Sequence, residues 1–200
     1  MNPTVAAFDF DGTITYRDSL LPFLFFTHGT LRTLFMLTSQ LPWLVGFVIG
    51  FVPRQRAKER IIKKFFAGKT LAQVQEWGKQ FARDGLPQHV RPEALKRIRW
   101  HRDRGDRLVL ISASLDIYLR PWAESEDFSE LICSSLETDS QGIITGKLCG
   151  LNCWGPEKVR RLLETAGPKK NYTLYAYGDS RGDQELLALA DHSFYKTMGE

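Results

Sequence analysis

Cysteine is scarce in this sequence, with three residues in 200: Cys133, Cys149 and Cys153. The number is odd, and no pair has the C-x-x-C spacing, so a disulfide framework and a complete zinc site are both excluded. Cys149-x-x-x-Cys153 hints weakly at a metal site, but no histidine or further cysteine lies nearby to complete it. We therefore expect reduced thiols in a reducing compartment.

A strong excess of charge is also missing, since 27 basic and 23 acidic side chains leave a net charge of +4. That value is too small to indicate nucleic acid as a partner, and we expect none. The N-terminus enters an apolar strand at once and shows no signal-peptide pattern. The expected location is the cytoplasm, with contact at the inner face of the membrane left open.

Charges are almost absent between Ser19 and Pro53, where Arg32 alone is charged at neutral pH. The uncharged window 33–52 is about as long as a bilayer-spanning helix requires. Polar residues, Pro42 and two glycines interrupt it, however, and these weaken a continuous helix. We therefore predict short helices broken near Gly29 and near residues 40–42.

A basic run follows, in which six cations between Arg54 and Lys64 alternate with apolar residues. One interpretation is an amphipathic helix with a solvated basic face, which is the usual meaning of such a pattern. The other is an element lying on anionic lipid, since bulky apolar residues precede the cations directly. Both interpretations stay open, and the second predicts peripheral membrane contact through residues 19–66.

The most informative stretch is Asp9-Phe10-Asp11-Gly12-Thr13, which follows the apolar run 4–8. That run has no helical period and predicts a strand buried on both faces. Residues two apart in extended backbone point to the same side, so Asp9 and Asp11 share one side of the chain. A β-turn with a solvated Asp9 would explain these two residues alone, but not the polar clusters that follow.

Two later predicted strands also end in polar residues. Residues 107–111 lead into Ser112-Ala113-Ser114, and residues 172–177 lead into a segment that contains Asp179 and Asp183. Strands and helices alternate in this region, which predicts an α/β fold with a largely parallel sheet. We assign residues 1–15 and 89–200 to this core and residues 16–88 to an inserted helical cap. His89 and His101 have no acidic or ligand pattern around them, and we expect both at the surface.

The carboxyl ends of parallel strands gather at one edge of a sheet, so four aspartates should meet there: Asp9, Asp11, Asp179 and Asp183. Their repulsion requires a cation, and oxygen ligands favour Mg²⁺. Lys158 lies in the first turn of a predicted helix, where the helix dipole disfavours a cation unless it has an anionic partner. An aspartate can attack phosphorus covalently, and a second carboxylate can act as general acid and base.

Four motifs in this order resemble the haloacid dehalogenase (HAD) superfamily of phosphohydrolases: residues 9–13, Ser112, Lys158 and residues 178–183. The resemblance implies a Rossmann-like parallel sheet and a helical cap similar to that of the phosphoserine-phosphatase-like branch, subfamily IB. It makes Asp9 the nucleophile and Asp11 the general acid and base. Ser112 and Lys158 then hold phosphate. The implied Mg²⁺ ligands are Asp9, the carbonyl of Asp11, Asp179 and Asp183.

The resemblance is weaker for the substrate. Phosphoserine phosphatases carry a glutamate nine residues after the nucleophile, and this chain has the shorter Asp18 there. They also have an asparagine where this chain has Gly182, and a cap arginine whose place Arg60 would take. The apolar insert instead resembles that of bacterial phosphatidylglycerophosphatase C.

The sequence thus predicts a Mg²⁺-dependent phosphomonoester hydrolase that works through an aspartyl-phosphate. Its substrate is a small phosphorylated metabolite or a lipid phosphate such as phosphatidylglycerophosphate. Two alternatives remain: a phosphotransferase that uses the same intermediate, and a non-catalytic membrane- or protein-binding module that kept the fold.

Overall fold

The computed structural model describes residues 3–199, apart from the side chains of Leu44, Phe47 and Val48. Five strands form a parallel sheet in the order β3-β2-β1-β6-β7, and β4 and β5 form a separate antiparallel hairpin. The α/β fold with a parallel sheet is therefore confirmed. The strands are β1 Thr4–Phe8, β2 Arg107–Leu115, β3 Glu130–Ser134, β4 Leu136–Thr138, β5 Ile144–Leu148, β6 Thr173–Gly178 and β7 His192–Tyr195.

The helices of the insert are short, as the interrupted apolar pattern predicts. Gly29, at φ +74°, separates the first two, and residues 39–40 separate the second from the third. The helices are α1 Leu20–His28, α2 Thr30–Thr38, α3 Leu41–Val48, α4 Arg54–Phe66, α5 Leu71–Gln80, α6 Pro92–Asp103, α7 Asp116–Ser125, α8 Pro156–Ala166 and α9 Gln184–Leu189.

Strand β1 lies at the centre of the sheet and separates two apolar clusters. Ala6 and Phe8 point into the larger cluster, and Val5 and Ala7 point into the smaller one on the opposite face. This alternation follows from the two-residue period of an extended chain. Because β1 ends at Phe8 and lies between β2 and β6, the residues just after Phe8 leave the sheet at its carboxyl edge between these two strands.

The inserted segment leaves and re-enters the core at one place. Thr15 forms an antiparallel bridge with Val90, and the amide of Tyr16 donates to the carbonyl of His89 at 2.9 Å. Helix α4 packs against β5, and Thr70 bridges Ile143, so the hairpin contacts the insert. The assignment of residues 16–88 to a separate cap stays a prediction.

Among the described helices, none is alone long and apolar enough to cross a bilayer. Helices α1 and α2 taken together reach that length and composition, with a bend of 120° between them.

The structure corrects the expectation for His101. Its side chain is fully buried, its Nδ1 lies 2.7 Å from Asp106 Oδ2, and its Nε2 lies 2.8 Å from the Tyr177 hydroxyl. The surface expectation was wrong because these partners come from a turn and from β6, outside the local helical pattern.

Candidate active site

A cavity of about 340 Å³ opens at the carboxyl ends of β1, β2 and β6. The sheet brings these ends together because β1 pairs in parallel with both neighbours. Every site residue predicted from the sequence lines this cavity, except Asp183 and Arg60. Its lining is Asp9, Asp11, Gly12, Tyr16, Arg17, Asp18, Arg54, Ser112, Ala113, Trp154, Lys158, Asp179, Ser180, Arg181 and Gly182.

Asp9 is the most constrained carboxylate of the cavity. Its Oδ1 lies 2.6 Å from Lys158 Nζ, and its Oδ2 accepts a hydrogen bond from the Thr13 hydroxyl at 3.0 Å. Burial raises the pKa of Asp9 to about 6, although the Lys158 charge opposes this shift. At neutral pH the side chain is therefore mainly ionised, as a nucleophile must be.

Lys158 is buried beside two acids. Its ammonium group also lies 2.6 Å from Asp183 Oδ1, and the whole side chain is 2% exposed. Burial by itself lowers the pKa of Lys158, but the Asp9 and Asp183 carboxylates outweigh it and raise that pKa above its ordinary value. The unfavourable position at a helix start is thus compensated by two anions, as the sequence predicts.

Asp183 lies behind the cavity, where its two oxygens have separate partners. Oδ1 binds Lys158, and Oδ2 accepts from the hydroxyl and the amide of Ser180 at 2.7 and 3.0 Å. Burial favours the neutral acid, but the Lys158 charge and these hydrogen bonds hold the pKa of Asp183 below its ordinary value. The carboxylate therefore stays charged inside the protein.

A cation site can be tested on the three acids Asp9, Asp179 and Asp183. One oxygen from each lies within 4.8 Å of the others. Asp179 Oδ1 is buried and has no hydrogen-bond partner, and burial followed by the Asp183 charge raises the pKa of Asp179. A buried carboxylate oxygen without a partner is costly, and a hard cation shared by the three carboxylates would give Asp179 the partner it lacks. These residues fit Mg²⁺.

Asp11 faces the cavity but lies outside this group of three acids. Its Oδ2 accepts from the Ser114 hydroxyl, and its Oδ1 accepts from the backbone amide of Ser19 at 2.9 Å. Burial and then the nearby Asp18 charge raise the pKa of Asp11 to about 7. A carboxyl group that exchanges its proton near neutral pH suits a general acid and base.

Ser112 lies within β2, whereas the sequence pattern places it in a strand-to-loop turn. The strand continues to Leu115 with an irregular register against β3 after Ile111. Ser112 Oγ accepts the backbone amide of Ser114 at 3.1 Å, and the side chain lines the cavity. Its hydroxyl hydrogen has no partner in these contacts and is available to an anion.

Of the two residues assigned to substrate specificity, Asp18 lies at the cavity and Arg60 does not. Asp18 lines the cavity, and its Oδ1 also accepts from the amide of Leu20 at 2.9 Å, so it caps α1. Arg60 is not part of the cavity lining. Its Nε donates to Gln40 Oε1 at 3.0 Å, and its guanidinium stacks 4.7 Å from the centre of the Trp43 ring.

Two other cations of α4 approach the site. Arg54 lines the main cavity, and Lys58 lines a neighbouring cavity of about 270 Å³ that shares Asp11, Asp18 and Arg54 with it. Lys58 donates to the carbonyl of Ala113, and burial lowers its pKa to about 8. The sequence could have indicated that Lys58 is buried, because helical spacing places it on the same face of α4 as the apolar residues Ala57, Ile61 and Ile62.

Ser114 and Ser19 were also missed as partners of Asp11. Ser114 belongs to the Ser112-Ala113-Ser114 cluster, in which the sequence predicts a role for Ser112 in phosphate binding and none for Ser114. Ser19 contributes a backbone amide, which carries no sequence signal. Both contacts depend on how the start of the insert folds back over β2.

An apolar groove of about 770 Å³ adjoins the active-site cavity. The two spaces share Arg17 and Asp18, so the groove begins at the mouth of the cavity. Its walls come mainly from α1 and from the turn after α5. The lining is Arg17, Asp18, Leu21, Pro22, Phe25, Phe26, Phe81, Gly85, Gln88 and His89.

Comparisons with known proteins show which family and which solved structures the chain is similar to. The chain is 37% identical to Protein CicA of Caulobacter vibrioides over 194 residues, 97% of this chain and 86% of CicA. A crystal structure of a Bordetella pertussis protein of unknown function superposes with a TM-score of 0.81 at 23% identity, covering 94% of this chain and 87% of that one. A substrate-bound phosphoserine phosphatase has the same fold, with a TM-score of 0.64 at 14% identity over 98% and 86% of the two chains. The model of the haloacid dehalogenase-like hydrolases matches residues 6–188, and the chain belongs to this family.

Proposed function

We propose that this protein is a Mg²⁺-dependent phosphomonoester hydrolase that works through an aspartyl-phosphate on Asp9. The observation that carries the proposal is the environment of Asp9. Lys158 and Thr13 hold its two oxygens, Asp179 and Asp183 lie beside it, and Asp11 faces the same cavity. The nucleophile, a cation site and a proton carrier thus meet in one space.

Mg²⁺ would be held by Asp9, Asp179, Asp183 and the backbone carbonyl of Asp11. When bound, it neutralises the charge of the acids and of the substrate phosphate. Lys158 supports the same anion, and the Ser112 hydroxyl donates to a phosphate oxygen. These residues orient the phosphorus for attack by Asp9.

In the first half of the reaction, an oxygen of Asp9 forms a bond to phosphorus. The bond from phosphorus to the leaving oxygen breaks, and Asp11 donates its proton to that oxygen, so the alcohol departs neutral. The pKa of Asp11, raised to about 7, keeps a substantial protonated fraction at neutral pH.

In the second half, the Asp11 carboxylate accepts a proton from a water molecule. The oxygen of that water bonds to phosphorus, and the bond between phosphorus and Asp9 breaks. Phosphate leaves, and both carboxyl groups return to their starting protonation states. Ser114 and the Ser19 amide keep the Asp11 carboxylate in place during both proton transfers.

Within the family, we propose that the protein belongs to the phosphoserine-phosphatase-like branch. We propose that its substrate is a lipid phosphate in preference to a small polar metabolite. The apolar groove that begins at Arg17 and Asp18 supports this choice, since it offers space for an apolar tail beside the phosphate site. Asp18 in place of a glutamate and the absence of Arg60 from the cavity lining also disfavour phosphoserine. A phosphatidylglycerophosphate-like lipid combines a phosphomonoester with such a tail.

The reaction is tested with p-nitrophenyl phosphate and Mg²⁺. Wild type should release phosphate, EDTA should abolish the release, and Asp9→Asn should be inactive. The matched control is Asp103→Asn, which changes an exposed aspartate at the end of α6 and should retain activity. Acid-quenched wild-type enzyme should carry hydroxylamine-labile phosphate. Turnover by Asp9→Asn, or by wild type in EDTA, would contradict the mechanism.

The substrate class is tested by comparing kcat/KM for a lipid phosphate and for phosphoserine. We expect the lipid phosphate to be preferred and Phe26→Ser, in the groove wall, to reduce that preference while leaving p-nitrophenyl phosphate turnover unchanged.

A phosphotransferase would instead pass phosphate to a supplied alcohol in place of water.

A further inference from the structure

Helix α2 packs Met36 and Leu37 against the core but directs its other large apolar side chains outward. Its fully buried residue is Thr33, whose hydroxyl donates to the carbonyl of Leu24 at 3.1 Å. Leu31 and Phe35 point outward, with 85% and 78% of their surfaces exposed. Helices of globular proteins normally bury their large apolar side chains, so this orientation requires a partner or an apolar medium.

The exposed apolar side chains continue through α3 and the loop after it. Phe51 is 84% exposed, and Ile49 is 61% exposed. Single exposed leucines or phenylalanines are common, but a cluster of this size on one segment is not. We call this set of exposed side chains along residues 31–51 the apolar face, and its members are Leu31, Leu34, Phe35, Leu41, Trp43, Val45, Ile49 and Phe51.

The segment that carries the apolar face is strongly cationic. Residues 30–66 contain seven basic residues and one acidic residue, Glu59. Five cations of α4 are exposed, namely Arg54, Arg56, Arg60, Lys63 and Lys64, and Lys58 is half-buried. Lys and Arg side chains near an anionic bilayer are attracted to its negatively charged headgroups. Apolar and basic groups therefore occur together in the combination that anionic lipid binds.

Arg60 joins the basic helix to the apolar face. Its Nε donates to Gln40, which lies between α2 and α3, and its guanidinium stacks on Trp43 of α3. Trp43 is 42% exposed, and tryptophan favours the boundary between headgroups and acyl chains. The residue that the sequence assigned to a substrate carboxylate thus holds together the two parts of one surface.

We propose that the apolar face, with the exposed cations of α4, is a docking surface for an anionic lipid bilayer. The apolar side chains enter the interfacial region, and the basic side chains contact lipid phosphates. Charge complementarity favours an anionic bilayer over a protein partner, because residues 30–66 carry seven basic side chains against one acidic one, and charged residues are depleted at the core of protein interfaces. Arg54 of the same helix lines the active-site cavity, so docking brings that cavity towards the lipid headgroups.

The test is co-sedimentation of the full chain with vesicles, without substrate. At low salt we expect binding to vesicles of equal parts phosphatidylcholine and phosphatidylglycerol, and about tenfold weaker binding to phosphatidylcholine alone or at high salt. The double variant Phe35→Ser, Phe51→Ser should lose about tenfold in affinity, and so should Lys63→Glu, Lys64→Glu. Melting curves check that each variant is folded.

The matched control is Leu151→Ser, which removes a 61% exposed leucine outside the apolar face and should bind as wild type does. Wild-type protein that stays in the supernatant with anionic vesicles at low salt overturns the proposal. Equal loss in Leu151→Ser and in the face variant also overturns it. Concentration-dependent dimerisation abolished by the Phe35→Ser, Phe51→Ser variant, without vesicle binding, would assign the face to a second copy of the chain. Because no arm depends on turnover by wild type, an inactive enzyme would leave the vesicle result unaffected.

Discussion

Lys158 and Asp9 are separated by 149 positions in the chain, yet the lysine ammonium and the aspartate carboxylate lie 2.6 Å apart in the interior. Helix α8 supplies the lysine, and the carboxyl end of β1 supplies the acid. Buried charges are stable when each has a partner of opposite sign, and removal of one partner leaves the other uncompensated.

Replacement of Lys158 by methionine should lower the free energy of unfolding by about 3–5 kcal/mol in metal-free protein, because Asp9 and Asp183 lose their shared cation. Added Mg²⁺ should reduce this loss, since a second cation would compensate the same carboxylates. Urea unfolding with EDTA and with Mg²⁺ measures both values. Lys147→Met, at an exposed lysine of β5, should change little. An equal loss in EDTA and in Mg²⁺ would contradict the shared cation site.

Gly12→Ala should damage the site more than its backbone conformation alone explains. Gly12 has φ +82°, and an added Cβ would lie 2.2 Å from Asp179 Oδ2. We expect a loss of stability of about 1–3 kcal/mol from both causes. Turnover should fall about a hundredfold, because the displaced acid can no longer hold its position. Phosphate release and thermal melting test the two effects.

Gly142→Ala is the matched control for that variant. Gly142 has φ +75°, and an added Cβ would meet no atom within 4 Å. It should therefore cost about 1 kcal/mol of strain and leave turnover unchanged. Similar activity in the two glycine variants would show that the contact with Asp179 does not matter.

Asp11→Asn should stabilise the metal-free protein above neutral pH. The folded-state pKa of Asp11 is raised to about 7 from an ordinary value of 3.8, so the folded state binds this proton more tightly than the unfolded state. As pH rises from 3.8 to 7, the wild type loses stability through this group, and the asparagine variant does not. The gain should be near zero below pH 4 and reach about 4 kcal/mol above pH 7.

Urea midpoints in EDTA across this pH range measure the effect, with Asp103→Asn expected to follow wild type. A gain that is constant with pH would exclude ionisation as its cause. In the same variant, Mg²⁺ should still raise the melting temperature, because the proposed ligand at position 11 is the backbone carbonyl. Turnover should fall sharply, since the amide cannot transfer a proton.

His101→Leu should destabilise the protein by about 2–4 kcal/mol, because it removes the buried ring that hydrogen-bonds both Asp106 and the Tyr177 hydroxyl, and Asp106 then keeps only its contact with Arg104. Burial lowers the pKa of His101, so the ring is neutral, with Nδ1 donating to Asp106 and Nε2 accepting from Tyr177. Tyr177→Phe should cost about 1 kcal/mol, and the double variant should show non-additive losses. Additive losses in urea titrations would mean that the two side chains do not interact.

Much of the core could be predicted from the sequence because its signals are local. The run 4–8 alternates its side chains between two apolar clusters, and Gly12 ends it in a positive-φ turn. The hairpin around residues 139–142 and the helix that begins at Pro156 also follow from turn and capping residues. In each case, neighbouring residues determine the backbone, and the parallel sheet then places the acids at one edge.

Long-range contacts could not be predicted in the same way. Lys58 and Arg60 belong to one basic run, yet the first is buried near Asp11 and the second binds Gln40 and Trp43. Which cation faces the cavity depends on the rotation of α4 against the hairpin and β2. The pattern of charges along the sequence does not determine that rotation of α4.

The sequence by itself determined the order of the strands along the chain, the acids that follow them and the breaks in the apolar insert, because each depends on residues close in the chain. The tertiary structure alone decided which partner each polar group received. It buried His101, paired Lys158 with two acids and left the apolar face exposed. Such pairings depend on side chains that meet only after distant segments have packed, so their geometry is a property of the folded chain.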